Sequence, residues 1–238
     1  MAVTIKSQRE IELMRESCKI LADVFSQMEK AVHPGVSTLD INNLGEKLIR
    51  AHGCIPNFLN YNGYPASICV SVNDEVVHGI PHKDHILHEG DIVSLDAGLI
   101  YKGYHSDMTR TLVVGLANSW QQEIYTIVEE AQRKGLKAAE AGMTGRELDA
   151  IVRDSITACG YGDYYVHGTG HGVGLEIHEM PMINKRGATV LQTGMIFTIE
   201  PGIYIPGKGG VRIEDTVVLT EDGARALNGV KKQLIEIV

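Results

Sequence analysis

The chain has 238 residues, 44% of them apolar and 22% charged, with a net charge of −8. This length and balance predict one large mixed α/β domain with its own core and exclude disorder, while an acidic excess without a dense Lys/Arg run excludes a nucleic-acid reader. Cys18, Cys54, Cys69 and Cys159 are scattered without a CxxC pair, and neither a leader nor an 18-residue apolar run is present, so reduced thiols, a cytoplasmic location and no membrane contact are expected.

Taken in chain order, Ser7 with Glu10 predicts a capping box ahead of a helical stripe of Ile11, Met14, Cys18, Leu21, Phe25 and Met28. Ser37 with Asp40 starts a shorter helix that ends at Gly53. His78 in VNDEVVHGIP is expected at a strand end, and residues 92–100 and 103–114 are expected to form a hairpin around Tyr101-Lys102. A second helix pair follows, with start signals at Ser119/Gln122 and Thr144/Glu147. The glycine-rich stretch HGTGHGVGLEIHE (167–179) reads as strand or bend, and on an extended chain His171 and His178 should lie far apart unless a bulge intervenes. A second hairpin is expected to turn at PGKGG (206–210).

The two helix pairs belong to an internal repeat, approximately 7–114 and 119–219. Residues 31–53 lie without gaps on 138–160 at an offset of 107, and ILHEGDIVSLDAG (86–98) lies on VLQTGMIFTIEPG (190–202) at an offset of 104. Asp96 then falls on Glu200, and SDMTRTL (106–112) on IEDTVVL (213–219) brings Asp107 onto Glu214.

Acids inside apolar strands need a reason, because an isolated buried charge is costly unless paired, protonated or bound to metal. The expected hairpins set Asp96 opposite Asp107 and Glu200 opposite Glu214, with Cβ atoms roughly 5 Å apart. Two such carboxylates in a dry site cannot both stay ionised, whereas four of them neutralise two divalent cations. Oxygen-rich donors with one imidazole suit Mn, Fe or Co, and Zn remains compatible. Among the ten histidines, His171 and His178 are candidates for metal and substrate. His82, His85 and His88 read as solvated loop residues, and His33 and His52 as helix-end residues. His105 and His167 lie close enough to candidate ligands to support them.

LDAG with Asp96, HSDMTRT with Asp107, GHGVGLEIHE with His171, TIEPG with Glu200 and RIED with Glu214 together resemble the five-ligand signature of methionine aminopeptidases of the short bacterial type, within the pita-bread metallopeptidase family. The resemblance spans nearly the whole chain. It implies a single catalytic domain over 1–238 of pita-bread fold, with two pseudo-symmetric ααββ halves around a mostly antiparallel sheet. It further implies that Asp96 chelates one of two divalent ions, that His171 and Glu200 hold the other, that Asp107 and Glu214 bridge, and that a hydroxide between the ions is the nucleophile. His78 and His178 would hydrogen-bond substrate and Glu200 would carry the proton.

In segment 57–81, Phe58, Tyr61, Tyr64 and Cys69, with Ile177 opposite, resemble a methionine pocket. The implied activity is removal of N-terminal methionine from nascent polypeptides, by a monomer whose partners are peptide N-termini and, transiently, the ribosome. The compact stretch IEPGIYIPGKGGVRIED is instead similar to Xaa-Pro aminopeptidases and prolidases, which normally carry a further amino-terminal domain, whereas this chain starts almost at the first catalytic-domain helix. An Xaa-Pro peptidase is therefore the alternative, and a non-catalytic peptide-binding module of the same fold a remote third.

Overall fold

The computed structural model describes residues 3–238. Helices α1 (Gln8–Glu29) and α2 (Thr38–Ala51) lead to the short strand β1 (Ile55–Pro56) and to β2 (Ile68–Val72), β3 (Ile92–Tyr101) and β4 (Tyr104–Val114). Helices α3 (Ser119–Ala138) and α4 (Gly145–Ala158) open the second half. There follow β5 (Gly170–Gly172), β6 (Glu179–Ile183), β7 (Ile196–Ile199), β8 (Gly202–Ile205), β9 (Gly209–Arg212), β10 (Asp215–Thr220), β11 (Gly223–Ala226) and β12 (Ile235–Ile237). One sheet has the order β1-β3-β4-β12 with β2 also on β3; the second runs β11-β10-β7-β5-β6, and β8-β9 form a two-stranded ribbon. Pairing is antiparallel throughout these sheets except between β4 and β12.

Helix starts follow local chemistry. Ser7, Ser37 and Thr144 each make a reciprocal capping box with the acid three residues on, satisfying two otherwise orphaned backbone donors. For α3 the start lies one residue earlier than Ser119: Asn118 caps, with Gln121 as its partner. An amide oxygen at Asn118 accepts the Gln121 N–H at 3.0 Å, which makes Ser119 the first helical residue.

The apolar stripe of α1 is buried: Leu21, Val24, Phe25 and Met28 pack with Val93, Leu95 and Leu112 of the first sheet, and Met14 and Cys18 with Val173, Ile196 and Val218 of the second half. In the second half Leu148 of α4 packs with Phe197, Ile199 and Val217. Full burial of one such side chain stabilises by about 1.5–3 kcal/mol. The duplication extends to a buried polar bolt between helix and sheet. Asn42 Oδ1 accepts the N–H groups of Ser67 and Ile68 at 2.9 and 3.1 Å. At the equivalent place on α4, Asp149 Oδ1 accepts the N–H and the hydroxyl of Thr169 at 3.1 and 2.8 Å. Among the described residues no helix is long and apolar enough to cross a membrane.

One sequence expectation about register needs correction and the other, Glu200 opposite Glu214, holds. In the first hairpin the turn lies at Lys102-Gly103, with Lys102 at φ 50° and Gly103 at φ 88°, so Asp96 stands opposite Thr109 and Asp107 opposite Gly98. Left-handed backbone at two successive positions suits a tight hairpin turn better than Tyr101-Lys102 would. The slip is two residues, so both acids keep a common face. In the second half Ile199 faces Asp215 and Gly202 faces Arg212, which leaves Glu200 across from Glu214 in the break between β7/β10 and β8/β9.

Candidate metal centre and active site

Five donors converge between the halves. Asp96 is delivered by the middle of β3, Asp107 by β4, and His171 by β5. Glu200 and Glu214 lie one residue beyond β7 and one before β10. One donor atom each from Asp107, His171 and Glu214 lie within 4.8 Å of one another. His171 Nε2 is 3.3 Å from Glu200 Oε1 and 3.7 Å from Asp107 Oδ2. Strand β5 reaches this position because Gly170 lies flat on β7: a Cβ there would sit 2.0 Å from the carbonyl oxygen of Thr198.

The electrostatics are those of an unbalanced anionic cluster. Burial, and then the neighbouring Glu214, push Asp107 well above the usual carboxylate range; burial, and then Glu200, do the same to Glu214. Burial raises Glu200 to about 7. Burial keeps His171 below its ordinary value, leaving a neutral imidazole free to ligate. Asp96 Oδ1 and Asp107 Oδ1 are buried with no hydrogen-bond partner among the described residues, although buried polar atoms normally find one. Orphaned carboxylate oxygens, mutual repulsion and a neutral imidazole are what a divalent-cation site requires, so the donor set fits such ions.

Arg212, which sequence reasoning passed over, lies inside this cluster at 1% exposure. Its Nη2 donates to Asp96 Oδ2 at 2.8 Å, its Nε to Thr109 Oγ1 at 3.2 Å, and its Nη1 to the Tyr204 hydroxyl at 3.2 Å and the Val76 carbonyl at 3.4 Å. Thr109 in turn donates to Glu214 Oε2 at 2.7 Å. With Arg212 included, the cluster still carries an excess of negative charge when its four acids are ionised. The signal for Arg212 was the R of RIED, a cation beside acids in an otherwise apolar and glycine-rich stretch, and the strand it ends is buried throughout.

Behind the site, Arg110 uses all five of its N–H groups. It bonds the carbonyls of Thr109, Glu214, Val230 and Lys231 and the carboxylate of Asp215, and so ties the carboxyl-terminal segment to the strand that carries Glu214. Burial alone would raise Asp215, but Arg110 and Lys232 hold it below its ordinary value.

The histidines rearrange the sequence expectation. The rings of His171 and His178 are only 4.1 Å apart, because β5 ends at Gly172 and the chain folds back before β6. His178 Nδ1 is 3.0 Å from the Tyr61 hydroxyl, and the surrounding walls lower its pKa to about 4. His78 is not at a strand end: β2 stops at Val72, and His78 occupies the loop beyond it with φ 58°.

His105 is buried, its ring Nδ1 3.2 Å from Asn57 Nδ2, and its N–H donates to Gly174 O at 2.9 Å. His167 meets the Tyr204 hydroxyl at 2.8 Å and is pushed down to about 4 by burial. Phe58, Tyr61, Tyr64, Cys69, His78 and His178 line a cavity of about 550 Å³ that opens on Asp96, Asp107, His171, Glu200 and Glu214. Ile177 is fully buried and is not part of that lining, whereas Ile80 is.

A mixed sheet pair with five acid and imidazole donors at its centre is the framework of a metallopeptidase. The chain belongs to metallopeptidase family M24, whose model matches residues 12–221. It is 42% identical over 231 residues to the Xaa-Pro dipeptidase of Pyrococcus furiosus, covering 97% of this chain and 65% of that protein. It is 38% identical over 233 residues to the methionine aminopeptidase of Clostridium acetobutylicum, covering 94% and 91%. Among solved structures, the Xaa-Pro dipeptidase from Bacillus anthracis superposes with a TM-score of 0.91 at 43% identity, over 98% of this chain and 64% of that one. The chain thus spans about two thirds of the Xaa-Pro dipeptidases it matches.

Proposed function

We propose that the chain is a metal-dependent aminopeptidase that takes the first side chain of a peptide into the cavity walled by Phe58, Tyr61, Tyr64 and Cys69, with methionine the residue it fits. The observation that carries this reading is the cavity itself. Three aromatic rings and a thiol form an apolar, polarizable slot that opens directly on the acids.

In this reading Asp96, Asp107, His171, Glu200 and Glu214 would hold two divalent ions, Mn, Fe or Co before Zn. When bound, such ions supply a polarised carbonyl and a water acidic enough to ionise near neutral pH. The chain supplies the rest. Glu200 would take and return the proton, and Thr198 Oγ1 donates to its Oε1 at 3.0 Å, fixing the carboxylate. Held neutral, His178 offers an N–H to a carbonyl oxygen on which negative charge develops, and His78 faces the same space. Arg212 fixes the rotamer of Asp96.

A second reading rests on a separate observation. Ribbon β8–β9 is compact and contributes no residue to the cavity lining, and 42% identity links the chain to a protein named Xaa-Pro dipeptidase. Turnover of Met-Ala-Ser, Ala-Pro-Ala and Met-Pro with Mn or Co separates the two. Faster release of methionine from Met-Ala-Ser is the expected result; preference for either proline peptide overturns the methionine reading and leaves the metallopeptidase intact.

A further inference from the structure

Segment 73–79 holds His78 in a backbone conformation that a non-glycine residue adopts at a cost, with φ 58°. Something must over-determine it. Gly79, the residue after His78, is fastened through both its N–H and its carbonyl. Gly79 N–H donates to Ser71 Oγ at 3.0 Å, the Val70 N–H donates to Gly79 O at 3.1 Å, and the Tyr64 hydroxyl donates to the same carbonyl at 2.8 Å. Gly79 also lies hard against β2: a Cβ there would be 2.4 Å from Val70 O and 2.7 Å from Ser71 Cα. The middle of the segment is held by Arg212, through Val76 O, to the same guanidinium that binds Asp96.

We infer that Tyr64 and Ser71 are positioning residues that clamp Gly79, through its carbonyl and its N–H, onto β2 and so keep His78 facing the reaction space. This inference rests on the proposed role of His78 at the substrate. Tyr64 therefore has two separable parts: its ring lines the cavity, and its hydroxyl, 3.2 Å from Ile68 O on β2 and 2.8 Å from Gly79 O, holds the loop to that strand.

Tyr64→Phe removes the second part alone. With the better of the peptides above, it should lower kcat about tenfold, the size of a displaced catalytic hydrogen bond, while KM changes less than about twofold. In a His78→Gly background, Tyr64→Phe should cost nothing further, since residues acting as a unit are non-additive. Ser71→Ala should speed hydrogen exchange at the Gly79 amide about tenfold or more. His78→Gly should raise Tm by about 2 °C, because glycine accepts the left-handed backbone freely.

A Tyr64→Phe variant that raises KM with kcat unchanged, or an equal kcat loss in both backgrounds, overturns the clamp, as does unchanged Gly79 exchange in Ser71→Ala. If His78→Gly turns over like the parent, the role of His78 fails instead, and the exchange and melting data still decide the clamp.

Discussion

The sharpest consequence of the buried acids concerns the metal-free protein, and Glu200→Gln exposes it. Burial raises Glu200 from 4.5 to about 7, so in the folded state it still carries its proton where the unfolded chain has lost one. Folded protein then binds more protons than unfolded, and stability falls as pH rises from about 4.5 to 7. At about 1.4 kcal/mol per pKa unit the loss is about 3 kcal/mol.

The raw pH profile would hide this. His167 and His178, pushed down from 6.5 to about 4, have the opposite sign and gain stability as pH rises through that window. Comparing parent with Glu200→Gln cancels the histidines, because glutamine keeps the shape and does not titrate. Urea unfolding in chelator from pH 4.5 to 8 should show the parent losing about 3 kcal/mol relative to the variant. Removing one charge also relieves Asp107 and Glu214, which shifts the comparison in the same direction. Excess divalent ion should reverse the order, since a ligand at about 1,000 times its Kd stabilises by about 4 kcal/mol. A flat or rising difference in chelator would refute the description of Glu200 as a buried, proton-holding acid.

Three further outcomes follow from named contacts. Arg212→Met leaves Asp96 buried without its cation and should destabilise the metal-free protein by about 3–5 kcal/mol in urea unfolding. Gly170→Ala drives a methyl group into Thr198 O and separates β5 from β7; metal analysis after dialysis should find less than half the parent content, with a loss of about 1–3 kcal/mol. Asn118→Ala removes the α3 cap and should cost about 1 kcal/mol while leaving metal content unchanged.

Much of this architecture was legible in the chain. Capping boxes at Ser7, Ser37 and Thr144, the stripe of α1 and the duplicated acids are local or periodic signals, and the folded protein uses each of them. What stayed hidden depends on where the chain turns. The exchange of Tyr101-Lys102 for Lys102-Gly103 moves Asp96 from Asp107 to Thr109, because two adjacent turn positions imply registers two residues apart. The approach of His171 to His178 depends on a fold-back after Gly172 that glycine-rich sequence permits without specifying. Arg212 was hidden for another reason. A lone arginine on a strand is most often solvated, and only the tertiary arrangement shows Asp96, Thr109 and Tyr204 closing around it.

The internal repeat has one place where its copies part company. Ser71 pairs with Ser94 on β3, and Ser94 lies on Thr198 at the offset of 104; His171 N–H donates to Thr198 Oγ1 at 3.1 Å. Ser71 and His171 are therefore counterparts. One copy spends this position on an imidazole for the acid cluster, and the other spends it on a hydroxyl that receives the Gly79 N–H and steadies the loop of His78. In the proposed site the two copies would thus differ in duty: the second half would contribute cation affinity at this position and the first would contribute aim. The two proposed ions are consequently inequivalent, with the one beside His171 expected to fill first and leave last in a titration.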